Sequence, residues 1–142
     1  MSKIAYLNTV ELVEKHNYML LGGTDIIAIV VDEKIVGHVE FRDDGDNEIF
    51  IEMIEIAPSF QNQGYSSLLL NQIVNNHPDT VAFNGESTYE AVPYWKSNGA
   101  MFDPSLFTVY HEDVRPEIYE GILFPFVVSL HDEHTPYWEN VG

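Results

Sequence analysis

The segment of this 142-residue chain best suited to chemistry is Ala57-Pro58-Ser59-Phe60-Gln61-Asn62-Gln63-Gly64-Tyr65-Ser66. It follows an apolar run, Glu48 to Ile56, and precedes a stretch of helical spacing from Tyr65 to Asn76. A strand that feeds a helix through a glycine-bearing turn leaves the first N–H groups of the helix unpaired, at the positive end of its dipole. Such a junction binds phosphate or pyrophosphate. Gly64 lets a ligand approach the backbone closely, and Ser66 is small enough to allow the same. Ordinary connections also carry a glycine here, so the feature needs companions. Two carboxylates, Glu52 and Glu55, interrupt the run before it, and His38 in an earlier stretch is a further group able to accept a proton. His131-Asp132-Glu133-His134 carries ligand-type side chains but lacks a third convergent ligand, so it reads as a polar tail and no metal is expected. The chain has no serine triad, no phosphate loop of the GxxxxGK type and no carboxylate pair arranged for glycoside hydrolysis.

The elements that must position these groups follow from pattern. Lys3 to Leu7 reads as a first strand, and Asn8 with Glu11 forms a capping box ahead of a helix over Val10 to His16. After Gly22-Gly23, Asp25 to Val31 is a β-branched strand. It turns at Asp32-Glu33-Lys34 into a hairpin partner, Ile35 to Arg42. The loop Asp43 to Asn47 leads to Glu48–Ile56, apolar on both parities and therefore a central strand covered on both faces. Pro58 ends it. The helix over Tyr65 to Asn76 presents Tyr65, Leu69 and Ile73 on one face. A strand over Thr80 to Phe83, a helix over Ser87 to Asn98 stopped by Gly99, and strands over Phe107 to His111 and Ile122 to Leu130 complete the order. Phe102, Phe107, Tyr110, Phe124 and Phe126 are core candidates. Hairpins followed by strand–helix–strand–helix and two more strands make an α+β, or mixed α/β, domain built on one sheet.

Composition bounds the partners. A hydrophobic content of 45% in 142 residues suits one globular domain, and 13% aromatics argue against disorder. The lack of cysteine excludes disulfides, thiolate metal sites and a cysteine nucleophile. No apolar run reaches the length of a membrane span, and the N-terminus lacks the pattern of a signal peptide, so a soluble cytoplasmic protein is expected. Twenty-three acidic against six basic residues give a net charge of −17. The acids are spread evenly, whereas Lys3, Lys15, Lys34 and Arg42 precede position 43 and only Lys96 and Arg115 follow. That leaves no basic patch for nucleic acid and favours cationic partners such as polyamines, aminoglycoside-like amines or basic proteins.

Gln61-x-x-Gly64-x-Ser66, after a strand ending Ile-Ala-Pro, resembles motif A of the GNAT superfamily of N-acetyltransferases, Arg/Gln-x-x-Gly-x-Gly/Ala. Downstream, Ala91-x-x-Tyr94-Trp95-x-x-x-Gly99-Ala100 resembles the family's Asn-x-x-Ala-x-x-Phe-Tyr-x-x-x-Gly-Phe. The resemblance covers roughly residues 25–130. It implies a single domain over 1–142, with a short strand and helix region over 1–24, the core over 25–130 and a tail over 131–142. The sheet would be central, twisted and mostly antiparallel, with helices on both faces. It further implies acetyl-CoA as co-substrate, its pyrophosphate cradled by Gln61, Asn62, Gln63, Gly64, Tyr65 and Ser66. The thioester carbonyl would meet backbone N–H groups near Ile54 and Ile56. Members of the family often form homodimers.

Direct attack by a primary amine then needs a base with a pKa near working pH. Glu52 shares parity with Phe50, Ile54 and Ile56, and burial among them would raise its pKa. Glu55, on the opposite parity, is the alternative. The family's general-acid tyrosine falls on Trp95, whose indole N–H donates a hydrogen bond without acting as an acid. Motif A ends in Ser66, the asparagine slot holds Thr88, and the region before Asp25 is short, so the acceptor site is expected to be open. The acceptor is then a cationic small molecule or a basic protein. The competing expectation is a catalytically weak GNAT-like acidic protein that binds a basic partner or only senses CoA.

The charge map sets a first prediction. No lysine or arginine lies between Asp43 and Trp95, so backbone amides would hold the CoA phosphates almost alone against a repulsive molecule. Salt screens that repulsion over a Debye length of about 8 Å at physiological strength. Acetyl-CoA affinity, measured by calorimetry, is expected to rise from low to moderate salt; a steady fall with added salt contradicts this.

Overall fold

The computed structural model describes residues 3–20, 22–104 and 121–130. The chain divides into two compact units, one formed by residues 1–44 with 51–79 and the other by 45–50 with 80–142.

In the first unit, strand β1 (Ile4–Leu7) leads into helix α1 (Thr9–His16). The start of α1 is satisfied reciprocally. The Glu11 N–H donates to Asn8 Oδ1 at 3.0 Å, and the Asn8 N–H donates to Glu11 Oε1 at 3.2 Å. Strands β2 (Asp25–Val31) and β3 (Lys34–Asp43) form a hairpin whose two loop residues, Asp32 and Glu33, both have positive φ, as a type I′ turn requires. β4 (Glu48–Ile56) completes the order β1-β2-β3-β4, and α2 (Tyr65–Asn76) follows it. A short 3₁₀ turn over Pro58–Phe60, not expected from the sequence, links β4 to the loop before α2.

Register decides which side chains share a face. β1 and β2 pair antiparallel, as do β2 and β3, and a register shift between Ile29 and Val30 makes Val36 the extra residue of a bulge. One face therefore carries Leu7, Ile26, Ala28, Val30, Ile35, His38, Glu40 and Arg42. α1 packs there, with Leu12, Ile26 and Ala28 forming a buried cluster joined by Leu7, Tyr18, Leu20 and Ile35. The opposite face carries buried Ile27, Ile29, Val39 and Phe41. α2 lies against β2 and β3 and buries Leu69, Leu70 and Ile73, while His77 at its end meets the Phe41 ring edge-on. The expected helices on both faces are thus present in this unit.

The second unit has the strand order β4-β5-β7-β6, with β5 (Ala82–Ser87), β6 (Met101–Phe102) and β7 (Phe124–Ser129), and one helix, α3 (Val92–Ser97). β7 pairs antiparallel with both β5 and β6. The strand pairings give the mostly antiparallel α+β class the sequence implies. Strand β6 is not expected from the sequence, β7 is shorter than Ile122 to Leu130, and the β5 and α3 boundaries also differ from expectation. β5 extends to Ser87 because Asn84, Gly85 and Ser87 are buried against β7 despite their polarity, and α3 is correspondingly shorter than Ser87 to Asn98. Phe124 and Phe126 are buried as expected, and Phe102 is partly so; Phe107, Tyr110 and the strand expected over Phe107 to His111 lie outside the described residues.

β3 and β4 approach each other closely at Gly37. A Cβ there would lie 2.8 Å from the Glu55 carbonyl oxygen and 3.3 Å from Ile56 Cα, both backbone atoms. Only a residue without a side chain permits this approach, so Gly37→Ala is expected to cost about 1–3 kcal/mol. Denaturant unfolding of the variant checks it, and wild-type stability would mean that β4 is not held this tightly.

Candidate active site

The loop after β4 is built to expose amides. Gly64 caps α2 in the left-handed conformation, φ 84° and ψ 5°, and provides no side-chain acceptor for the first turn. Asn62 is also left-handed, with φ 63°. The first helical bond runs from the Leu68 N–H to the Gly64 carbonyl at 3.2 Å. Among the described residues, no acceptor meets the N–H groups from Asn62 to Ser67. The contrast with α1, closed by Asn8 and Glu11, is within one chain.

Side chains hold the loop in place from behind. Gln61 Nε2 donates to the Ile56 carbonyl at 2.9 Å, and Gln63 Nε2 donates to the Ser59 carbonyl at 3.4 Å. The Phe60 and Tyr65 rings meet at 6.3 Å across the base of the loop. Gln61 therefore differs from the expectation of a coenzyme contact: its N–H donates to the Pro58 carbonyl at 3.4 Å and its side chain to Ile56, whereas Gln63 keeps an open amide and uses its side chain to shape the loop. Gln61 to Gly64 are exposed, and Tyr65 and Ser66 are half-buried.

β4 supplies the other amides. The Ala57 N–H donates to the Val36 carbonyl at 2.8 Å, on the β3 side. By the alternation of a ladder, the amides of Ile54 and Ile56 face away from β3. Both residues are half-buried, and the second half of β4 is more open than the first, with Met53 46% exposed against 4% for Ile51.

The expected bases are placed differently from the expectation. Glu52 is not buried among Phe50, Ile54 and Ile56; it is exposed and ion-paired with Arg42 of β3. The pair corrects the sequence reading because a neighbouring strand, silent in local pattern, brings a guanidinium to it. A carboxylate committed to a guanidinium is a poorer proton acceptor. Glu55 is exposed on the opposite parity. Trp95 is 4% exposed in the second unit, its ring stacked on Phe126 with centroids 4.2 Å apart and planes at 27°. There it packs. Lys96 is exposed on α3.

Sequence reasoning missed Arg42, Glu40 and Tyr18. Tyr18 meets the His38 ring edge-on at 6.3 Å, and Glu40 is half-buried on the same face. Hairpin register alone could have put His38, Glu40 and Arg42 on one face. Burial pushes the Tyr6 phenol above its ordinary value, but Tyr6 pairs with Ile29 and belongs to the opposite face. Among the described residues no three ligand-type side chains converge to hold a metal, and no helix is long and apolar enough to cross a membrane. The His131 to His134 segment lies outside the described residues.

Comparison with known proteins gives a consistent picture. A family model described as the acetyltransferase (GNAT) family matches residues 6–98. An IAA acetyltransferase from Bacillus cereus superposes with a TM-score of 0.61 at 12% identity, over 92% of this chain and 100% of that one. A GNAT family acetyltransferase from Elizabethkingia anophelis, with acetyl-CoA bound, gives 0.60 at 15% identity over 89% and 98%. N-acetylglutamate synthase from Neisseria gonorrhoeae, complexed with coenzyme A and N-acetyl-glutamate, gives 0.60 at 13% identity over 91% of this chain, which spans 35% of that longer protein. At such identities the likeness is one of fold. No curated protein matches the sequence.

The loop geometry generates a prediction. A methyl at Gly64 would meet no protein atom within 4 Å, so its cost is backbone strain at φ 84°, on the order of 1 kcal/mol, together with displaced amides. Gly64→Ala is expected to lose at least tenfold in acetyl-CoA affinity by calorimetry, with only a few degrees lost in Tm. Unchanged affinity would take these amides out of coenzyme binding.

Proposed function

Because the chain belongs to the GNAT family of acetyltransferases, we propose that it transfers an acetyl group from acetyl-CoA to a primary amine, carried by a cationic small molecule or a basic protein. The observation that carries this reading is the α2 N-terminus behind Gly64, uncapped and directly following the central strand. Amides from Gln63 to Ser66 would hold the pyrophosphate, and those of Ile54 and Ile56 would polarise the thioester carbonyl. The neighbours solved with coenzyme A or acetyl-CoA support that choice of co-substrate.

The acceptor class rests on charge. A molecule at −17 repels anions and draws in cations, which raises the encounter rate of an amine substrate. It also disfavours nucleic acid as a partner. The reaction proceeds by direct attack and needs no metal.

One observation favours a second reading. The slot of the family's general-acid tyrosine holds Trp95, enclosed against Phe126, so no phenol stands there to protonate the leaving thiolate. A GNAT-like acidic protein that binds CoA, or a basic partner, without efficient transfer fits that feature.

Calorimetric titration with acetyl-CoA, followed by thiol release with spermidine, an aminoglycoside and a lysine-rich peptide, separates the readings. The transferase reading expects saturable binding and amine-dependent thiol release. Binding without release supports a sensor, and absence of binding supports an acidic protein-binding module.

A further inference from the structure

We infer that Lys34, at the start of β3, supplies a positive charge to the coenzyme diphosphate held at the start of α2. The inference rests on the transferase reading above and adds to its coenzyme side a residue far from the loop in sequence.

The loop brings no charge of its own. Residues 57–76, which span the turn after β4 and the whole of α2, hold no acidic or basic side chain, in a chain with twenty-three acids. The stretch thus carries no carboxylate to repel a diphosphate at short range. It carries no cation either. Gln61, in the slot where motif A allows arginine, gives its side chain to the Ile56 carbonyl. A positive charge for the diphosphate must come from another element.

Two contacts fix where α2 lies along β3. Just past its end, His77 meets the Phe41 ring with centroids 5.9 Å apart. Ahead of its start, the chain leaves β4 beside β3, where the Ala57 N–H donates to the Val36 carbonyl at 2.8 Å. α2 has 12 residues and is therefore about 18 Å long. Lys34 lies seven positions before Phe41, one of them taken up by the bulge, which is about 20 Å along the strand. The helix and β3 thus begin at the same end. Register puts the lysine on the matching face. Lys34 pairs with Val31, which alternates with Ile29 and Ile27 on the face that α2 covers.

Lys34 is exposed, and among the described residues its ammonium group has no ion-pair or hydrogen-bond partner. Its flexible four-carbon stem lets that group turn toward a ligand. The other basic side chains of this unit are placed elsewhere. Lys15 is on α1, which packs on the opposite face. Arg42 is on that face too and is ion-paired with Glu52. Lys3 precedes β1, at the sheet edge and two strands from β3. Asp32, in the turn beside Lys34, accepts from the Lys3 N–H at 2.8 Å. The open amides define the phosphate site by direction, and the lysine strengthens it as a point charge.

The test uses the full chain and calorimetric titration with acetyl-CoA at low salt. K34A is expected to lose about fivefold in affinity, K34E to lose more, and K34R to stay within about twofold of the unsubstituted protein. K15A removes the same charge from the opposite face and is expected to stay within about twofold, which separates proximity from net charge. The K34A loss should shrink as salt is raised. With 3′-dephospho-acetyl-CoA, which keeps the diphosphate, the K34A loss should be unchanged. Because Lys34 is exposed, every variant should keep the wild-type Tm. K34A binding as wild type, or a loss no greater than that of K15A, overturns the inference. So does a loss that vanishes with 3′-dephospho-acetyl-CoA, since the lysine then serves the 3′-phosphate instead. If Gly64→Ala loses affinity and K34A does not, the coenzyme reading stands without Lys34. A protein that binds no acetyl-CoA removes that reading and this assignment together.

Discussion

The function proposed for this molecule depends on one unsatisfied helix start. A helix leaves its first N–H groups without intrahelical partners, and proteins usually close them with a side chain. This chain does so for α1, where Asn8 and Glu11 bond reciprocally, and does not for α2, where a left-handed glycine sits at the cap. Leaving amides open costs stability unless water or a ligand meets them. Gln61, Gln63 and the Phe60–Tyr65 contact keep the loop in shape so that the open amides point from a fixed frame. Under the proposed function these open amides would form an anion site made from backbone, with no basic residue needed nearby.

On that proposal, an acidic protein could hold a polyphosphorylated coenzyme. Backbone dipoles act within a few ångströms, whereas the field of the net charge is screened beyond a Debye length. The short-range term would hold the pyrophosphate while the long-range term would favour cationic acceptors. The close approach at Gly37 holds the end of β4, at Glu55 and Ile56, against β3.

Local chemistry was readable in the sequence where it is self-contained. The Asn8–Glu11 capping box, the Asp32-Glu33 turn, the span of β4 and the start of α2 at Tyr65 all follow from residues within a few positions of one another. What failed depends on neighbours distant in the chain. Asn84 and Ser87 look like loop or helix-start residues, yet β7 pairs with them and buries them. Glu52 has apolar neighbours on its own strand, but its ion-pair partner, Arg42, comes from β3. His38 was visible only as a lone histidine. Its edge-on contact with Tyr18 is a tertiary fact. Trp95 matched a motif slot by position, while its packing on Phe126 is a tertiary fact.

The central claim is that the open amides before and within the first turn of α2 grip the coenzyme diphosphate. Titrating coenzyme A into isotopically labelled protein while following backbone amide signals tests it most directly. The account predicts that the signals of Gln63, Gly64, Tyr65 and Ser66 move together, saturably, and become protected from exchange. Saturable binding that shifts signals elsewhere and leaves these unmoved would contradict it.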